Sequence, residues 1–204
     1  MMEYENHWRK AAGTENVGPL LRSLVRMVRP NRILEIGGGY TTPFLLEGLE
    51  KNEELFEDEV GYLNKEYANW HKENYDPKFV IIDAAPKGQA WHRPNIDSKH
   101  VEFIEGKFQG KSQKIFDTYG LFDFVWFDCG GVDEYVAFMS EYWDICSEYV
   151  IFHYTYSFQM PHPKLGAVMG LATGNPQRID ILEPHKDRQG NVTILKKCAW
   201  NIRN

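Results

Sequence analysis

Apolar and polar positions divide the chain into short strands and amphipathic helices. Val17 to Val28 (VGPLLRSLVRMV) sets Leu20, Leu21, Leu24, Val25 and Val28 at helical spacing, and Pro30 ends that helix. Arg32 to Ile36 (RILEI) is a short apolar strand broken by Gly37, Gly38 and Gly39. Thr42 to Leu49 opens a second helix, with Pro43 at an early helical position. Further strands are predicted at Phe79–Ile82, Val101–Ile104, Phe122–Phe127 and Tyr149–His153. A helix is predicted over Asp133 to Glu148, with Val136, Met139, Trp143 and Cys146 on its apolar face. Ile179–Leu182 and Val192–Lys196 form a last pair, joined by the polar stretch EPHKDRQGN.

Strands one, four and five of this series are near-continuous apolar runs, which suits strands buried on both faces of a parallel sheet. Alternation with helices then predicts an α/β fold: a doubly wound, mostly parallel seven-stranded sheet with an antiparallel C-terminal strand pair. The 204 residues suit one domain over 1–204. An N-terminal helical segment (1–29) precedes the sheet. An insertion (51–77), charged and aromatic, is expected to carry an extra helix.

Composition narrows the function. The net charge of −6 argues against a nucleic-acid partner, because phosphate neutralisation needs a basic surface. Three widely spaced cysteines (Cys129, Cys146, Cys198) form no disulfide framework and no zinc-binding pair. No apolar run approaches the ~20 residues of a membrane span, and the polar start MMEYENHWRK lacks the core of a signal peptide. The expectation is a cytoplasmic protein without a membrane partner.

In an open parallel sheet, ligands bind outside the carboxyl ends of the strands. Those ends carry Glu35 before Gly37–Gly39, then Asp83, Gly106 and Asp128. A carboxylate just before the glycines disfavours a pyrophosphate and favours an ammonium or sulfonium. Asp83 is placed to accept hydrogen bonds from a ribose. It follows Glu35 by 48 residues rather than the ~20 of the plain dinucleotide fingerprint, and the insertion accounts for the excess. The plainer alternatives are that Glu35 partners a nearby helix terminus, that the glycines form a structural turn, and that Asp83 caps a loop.

RILEIGGGYTTPFL resembles the first motif of class I S-adenosylmethionine-dependent methyltransferases. Tyr-Thr-Thr after the glycines is similar to the catechol and caffeoyl-CoA O-methyltransferase branch and to small-molecule enzymes of natural-product pathways. The agreement continues in order through VIIDAAP, VEFIEGKF and FDFVWFDCGG to the C-terminal strands. The resemblance implies S-adenosyl-L-methionine as cofactor. Glu35, Gly37 and Gly39 would line its methionine half, and Tyr40, Thr41 and Thr42 would hold its carboxylate. Asp83 would bind the ribose, with Ala84 beside the adenine and Gly106, Lys107 and Phe108 against the adenine edge. Lys107 stands where relatives often have an acidic residue, which leaves Phe108 to stack on the ring.

The resemblance implies methyl transfer to an oxygen or nitrogen of a small molecule. Asp128 and His153 end neighbouring strands, so both can face the acceptor, His153 as general base and Asp128 orienting it. The metal-dependent branch of the family has an Asp-Asn pair where this chain has His153-Tyr154. Hard magnesium prefers oxygen ligands, so a metal-free site is favoured. Iron, manganese or zinc held by Asp128 and His153 is the alternative. Plainer roles are a core histidine and a helix-capping Asp128.

Fourteen of the 29 aromatic residues fall between Tyr119 and Phe158. Most suit the core. Tyr154, Tyr156 and Phe158, with Trp91 and His92, are candidates for an acceptor wall or for a homodimer surface. Two other functions compete. A nicotinamide-dependent oxidoreductase is disfavoured, because Thr42 replaces the third glycine of GxGxxG. A non-catalytic domain binding a nucleoside or a protein partner would hold a ligand without turnover.

Overall fold

The structure is a computed structural model that describes residues 15–62, 75–85, 96–183 and 190–197. Helix α1 (Val17–Val28) leads into strand β1 (Arg32–Ile36). It ends where Arg29 turns left-handed and donates its N–H to the Val25 carbonyl, just ahead of Pro30. Helix α2 (Thr42–Tyr62), strands β2 (Lys78–Asp83) and β3 (Val101–Glu105), helix α3 (Ser112–Tyr119) and strand β4 (Phe122–Phe127) follow. Helix α4 (Val132–Tyr142) and one 3-10 turn (Trp143–Ile145) precede strand β5 (Cys146–His153). A small hairpin, β6 (Tyr156–Ser157) with β7 (Met160–Pro161), and helix α5 (Pro163–Leu171) lead to β8 (Gln177–Leu182) and β9 (Asn191–Lys196).

The seven long strands form one sheet in the order β3-β2-β1-β4-β5-β9-β8. The first five are mutually parallel, and β9 runs antiparallel between β5 and β8. This is the doubly wound sheet expected, with its reversed strand one place in from the edge. The chain winds outward from β1 in both directions, so the crevice of such a sheet lies at the carboxyl ends of β1 and β4.

Strand alternation assigns each side chain to a layer. Ile33, Phe79, Ile81, Phe124, Trp126 and Ile151 face α1 and α2. Leu34, Ile36, Val80, Val125, Phe127 and Phe152 face the residues of α3, α4 and α5. Gly48 lets α1 and α2 approach closely, since a Cβ there would stand 3.0 Å from the Arg22 carbonyl and from Val25.

Three expectations are corrected. The extra helix of the 51–77 insertion is, as far as Tyr62, a continuation of α2. Asn52 anchors that extension through a bond from Nδ2 to the Val25 carbonyl, and Glu53 through bonds from Lys99 and His100. Residues 63–74 lie outside those described. Helix α4 stops at Tyr142, because Cys146 already pairs with Phe122 in the sheet. Its buried stripe is Tyr135, Phe138, Met139 and Tyr142, whereas Val136 is exposed. Large aromatic rings bury more area than Val or Cys, and they set the helix rotation. Finally, α3, α5 and the small hairpin are elements that the apolar pattern alone did not delimit.

Candidate active site

The strand ends converge as parallel register requires. Glu35 lies beside Ile81 and Trp126, and Phe127 beside Ile36 and Phe152. The ladders extend one step further, through bonds from Gly37 N to the Ile82 carbonyl, from Asp128 N to the Ile36 carbonyl and from Gly106 N to the Asp83 carbonyl. Loops after β1, β2, β3 and β4 are thereby clamped to one another. Gly37 has φ +94, and a Cβ there would meet the Asp128 carbonyl oxygen at 2.4 Å. This position admits only glycine, for left-handed backbone and close approach together. Among the described residues nothing lies within 4 Å of the place a Cβ would take at Gly39, and they leave that face of the loop open.

Glu35 belongs to the layer beneath this loop. It is fully buried, and Thr41 Oγ1 donates to its Oε1 at 2.9 Å. Trp126 Nε1 donates in turn to Thr41 Oγ1 at 3.1 Å. The other oxygen, Oε2, takes no bond as well formed as this among the described residues. Burial pushes the Glu35 carboxyl up to about 8, opposed by bonds from Thr42 and Thr41 and reinforced by the charges of Asp128 and Asp83. Glu35 is therefore not a wall of the open face, as expected from sequence. It is a sealed acid that acts on the crevice through the loop backbone. Thr41 and Thr42 are likewise turned inward, and Thr42 Oγ1 accepts the Gly39 N–H at 2.8 Å. Their hydroxyls hold the loop instead of facing a ligand. Tyr40 is half-buried, its ring 5.2 Å from that of Phe44.

Asp83 ends β2 half-buried. Its Oδ1 accepts the Ala85 N–H at 2.6 Å, and its Oδ2 is directed toward Gly38, 3.4 Å from where a Cβ would stand. A Cβ at 38 would meet Ile81 Cγ2 at 2.9 Å, so glycine lets the loop lie this close to β2. Ala84 and Lys107 are exposed, and Gly106 is half-buried with φ +108. Phe108 departs from expectation. Its ring packs edge-on against Phe127, Phe138 and Tyr142 in the core, so it is not available to stack on a ligand.

Asp128 and His153 are paired. His153 Nδ1 and Asp128 Oδ1 lie 2.7 Å apart. The histidine ring is almost fully buried and tilted over Trp126, with ring centroids 5.7 Å apart, while the Asp128 side chain keeps 30% of its surface. Tyr135 donates its hydroxyl hydrogen to the His153 main-chain carbonyl. Helix α4 is capped by Glu134, whose carboxylate accepts the Gly131 N–H at 2.7 Å, so Asp128 is not its cap. A carboxylate at Nδ1 fixes the tautomer with hydrogen on that nitrogen and directs the lone pair to Nε2. Cys129, next to Asp128, is held inert: burial pushes its thiol up to about 12, and Asp128 and Glu134 add to this. Among the described residues no three His, Cys, Asp or Glu side chains cluster to hold a metal ion.

One residue near this pair was not singled out by sequence. Lys164, on α5, is nearly buried over the rings of Tyr135 and Tyr154. Pro163 at the helix start, just ahead of it, is the sequence signal that could have revealed the helix. Tyr154 takes a left-handed conformation (φ 52) immediately after His153, and Asn191 secures the chain beyond it by accepting the N–H groups of Thr155 and Tyr156. Tyr156 is buried and bonded to Asp180, while Phe158 is exposed. Trp91 and His92 lie outside the described residues, as does Cys198.

The sequence matches no protein-family model and no curated protein. The architecture is widely shared. An O-methyltransferase from Bacillus cereus in complex with SAH aligns with a TM-score of 0.58 at 16% identity, covering 90% of this chain and 81% of that one. The O-methyltransferase TomG from Streptomyces achromogenes, involved in tomaymycin synthesis and solved with SAM, gives 0.54 at 16% identity, over 97% of this chain and 100% of the other. SAH-bound methyltransferase PaMTH1 from Podospora anserina gives 0.56 at 16% identity, over 97% and 82%. This chain has the Rossmann-like methyltransferase fold.

Proposed function

We propose that this protein is an S-adenosylmethionine-dependent methyltransferase acting on a small molecule. The observation that carries the reading is the pair of half-buried carboxylates Asp83 and Asp128, at the ends of β2 and β4 on either side of β1, around the glycine loop. A negative crevice suits a cationic ligand and opposes the pyrophosphate of a nicotinamide dinucleotide. The donor set fits the proposed ligand. Asp83 offers a carboxylate oxygen to vicinal hydroxyls, and the side of Gly39 left open by the described residues admits a main chain-like moiety. The donor set does not fit magnesium, because His153 nitrogen stands where a hard ion requires oxygen and is already bonded to Asp128. The bound ligand supplies a sulfonium methyl group for in-line displacement.

The chain's own residues then manage position and protons. Asp128 holds the His153 imidazole in one tautomer, and Nε2 accepts the proton of the acceptor. The loop beyond β5, fixed by Asn191, sets Tyr154 beside this pair. The acceptor is a small molecule, and the protein works in the cytoplasm as a single domain, alone or as a homodimer, without nucleic acid. The described residues include no helix long and apolar enough to cross a membrane. A thermal-shift comparison tests the class. S-adenosylhomocysteine should raise the melting temperature and NADH should not, and stabilisation by NADH alone would refute the reading.

A further inference from the structure

The amine of Lys164 is an unusual group in this fold. It lies 4.6 Å from the centre of the Tyr135 ring and 4.8 Å from that of Tyr154, with the residue only 7% exposed. Among the described residues no hydrogen-bond acceptor takes Nζ and no carboxylate reaches ion-pair distance. Buried cations are ordinarily paired and hydrogen-bonded. Two aromatic faces stabilise the charge but leave its N–H donors unused. The groups around it come from every neighbouring element: Asp128 and Cys129 after β4, Glu134 and Tyr135 on α4, Tyr154 after β5, and His162 ahead of α5, whose ring leans on Tyr154 at 5.1 Å. Burial lowers the affinity of the amine for its proton, and Asp128 opposes this most strongly. Tyr135 donates to the His153 carbonyl and Tyr154 follows His153 directly, so the two rings that enclose the amine place it next to the Asp128–His153 pair, with N–H donors to spare.

We propose that Lys164 is a catalytic cation that donates to the reacting oxygen of the acceptor, and that this oxygen reacts as an anion. The inference rests on the methyltransferase reading and deepens it by choosing oxygen over nitrogen. An amine acceptor attacks in its neutral form and gains positive charge, which a neighbouring ammonium repels. A hydroxyl acceptor loses its proton to His153, and the resulting oxyanion is held by Lys164. The oxygen's lone pair then forms the bond to the methyl carbon as the carbon–sulfur bond breaks with its electrons left on sulfur. His153 carries the proton away, and Lys164 keeps its own throughout.

The test uses para-nitrophenol, whose anion is read by its visible absorbance, with its neutral isostere para-nitroaniline. The full-length protein saturated with S-adenosylhomocysteine should bind the nitrophenolate and lower its apparent pKa. Lys164→Met should weaken nitrophenolate binding by ~10- to 100-fold, the value of a charged hydrogen bond, with S-adenosylhomocysteine affinity unchanged. Lys164→Arg should restore part of it. The wild-type complex should also prefer the anion to the nitroaniline, a comparison that needs no variant and stands if Lys164→Met fails to fold. Equal affinity for the two probes, or a Lys164→Met variant that binds nitrophenolate as well as wild type, overturns the proposal. Failure of S-adenosylhomocysteine itself to bind removes the methyltransferase reading first, and is distinguished from those results by the cofactor titration.

Discussion

Replacing Glu35 with Gln keeps the side-chain shape and the bond from Thr41, and removes the capacity to ionise. Burial raises the carboxyl from an ordinary 4.5 to about 8. Below the lower value both folded and unfolded chains hold the proton, and nothing is lost. Between the two values the unfolded chain releases it and the folded protein keeps it, so stability falls as pH rises. The loss is complete above pH 8. At about 1.36 kcal/mol per pH unit, the gap corresponds to about 5 kcal/mol. Relaxation and water penetration soften such penalties, so about 3 kcal/mol is a working expectation. Urea denaturation of both proteins at about pH 5 and about pH 9 reads it directly. The two should agree within ~1 kcal/mol at the lower pH, and Glu35→Gln should be the more stable by about 3 kcal/mol at the higher. A difference that does not change with pH, or a wild type favoured at high pH, refutes the burial argument.

Other perturbations separate loop packing from ligand contact. Gly37→Ala places a methyl 2.4 Å from the Asp128 carbonyl and keeps a left-handed backbone, so it should cost about 2–4 kcal/mol in a denaturation experiment. Gly39→Ala meets nothing within 4 Å among the described residues and should leave stability within ~0.5 kcal/mol, while weakening S-adenosylhomocysteine in a binding titration. His153→Ala should lower methyl transfer by ~10²–10⁴-fold with cofactor affinity intact, measured with methyl-labelled donor. Unchanged turnover would remove His153 as the base.

The sheet was legible because its central strands are apolar on both faces and end in Gly or Asp. RILEI, FVII and FDFVWF are found within one or two residues of their predicted bounds. The junction from α4 to β5 was not, since apolar residues continue through it and only pairing with β4 marks where Cys146 enters the sheet. Asp128 and His153 were brought together by strand order, which sequence reasoning supplied. What lies beneath each loop was harder to read. Its strand-end position placed Glu35 near the crevice and the family resemblance placed Phe108 there, but the side a strand residue faces, and the ring cluster that captures Phe108, follow from tertiary packing. Lys164 escaped for a similar reason. A lysine two residues into a short helix reads as solvent-facing until Tyr135 and Tyr154 are seen to enclose it.

If the acidic strand ends bind the sulfonium cofactor and its product, S-adenosylhomocysteine must occupy the crevice beside Asp83. Titration calorimetry of S-adenosylhomocysteine into wild type and Asp83→Ala tests it most directly. Asp83 is half-buried at a strand end, and its Oδ1 bond to Ala85 N is a local turn contact, so the variant should stay folded. Saturable one-to-one binding to wild type, weakened by ~10- to 100-fold in Asp83→Ala with an unchanged melting curve, is the predicted result. No binding to folded wild type, or equal affinity in both proteins, would contradict it.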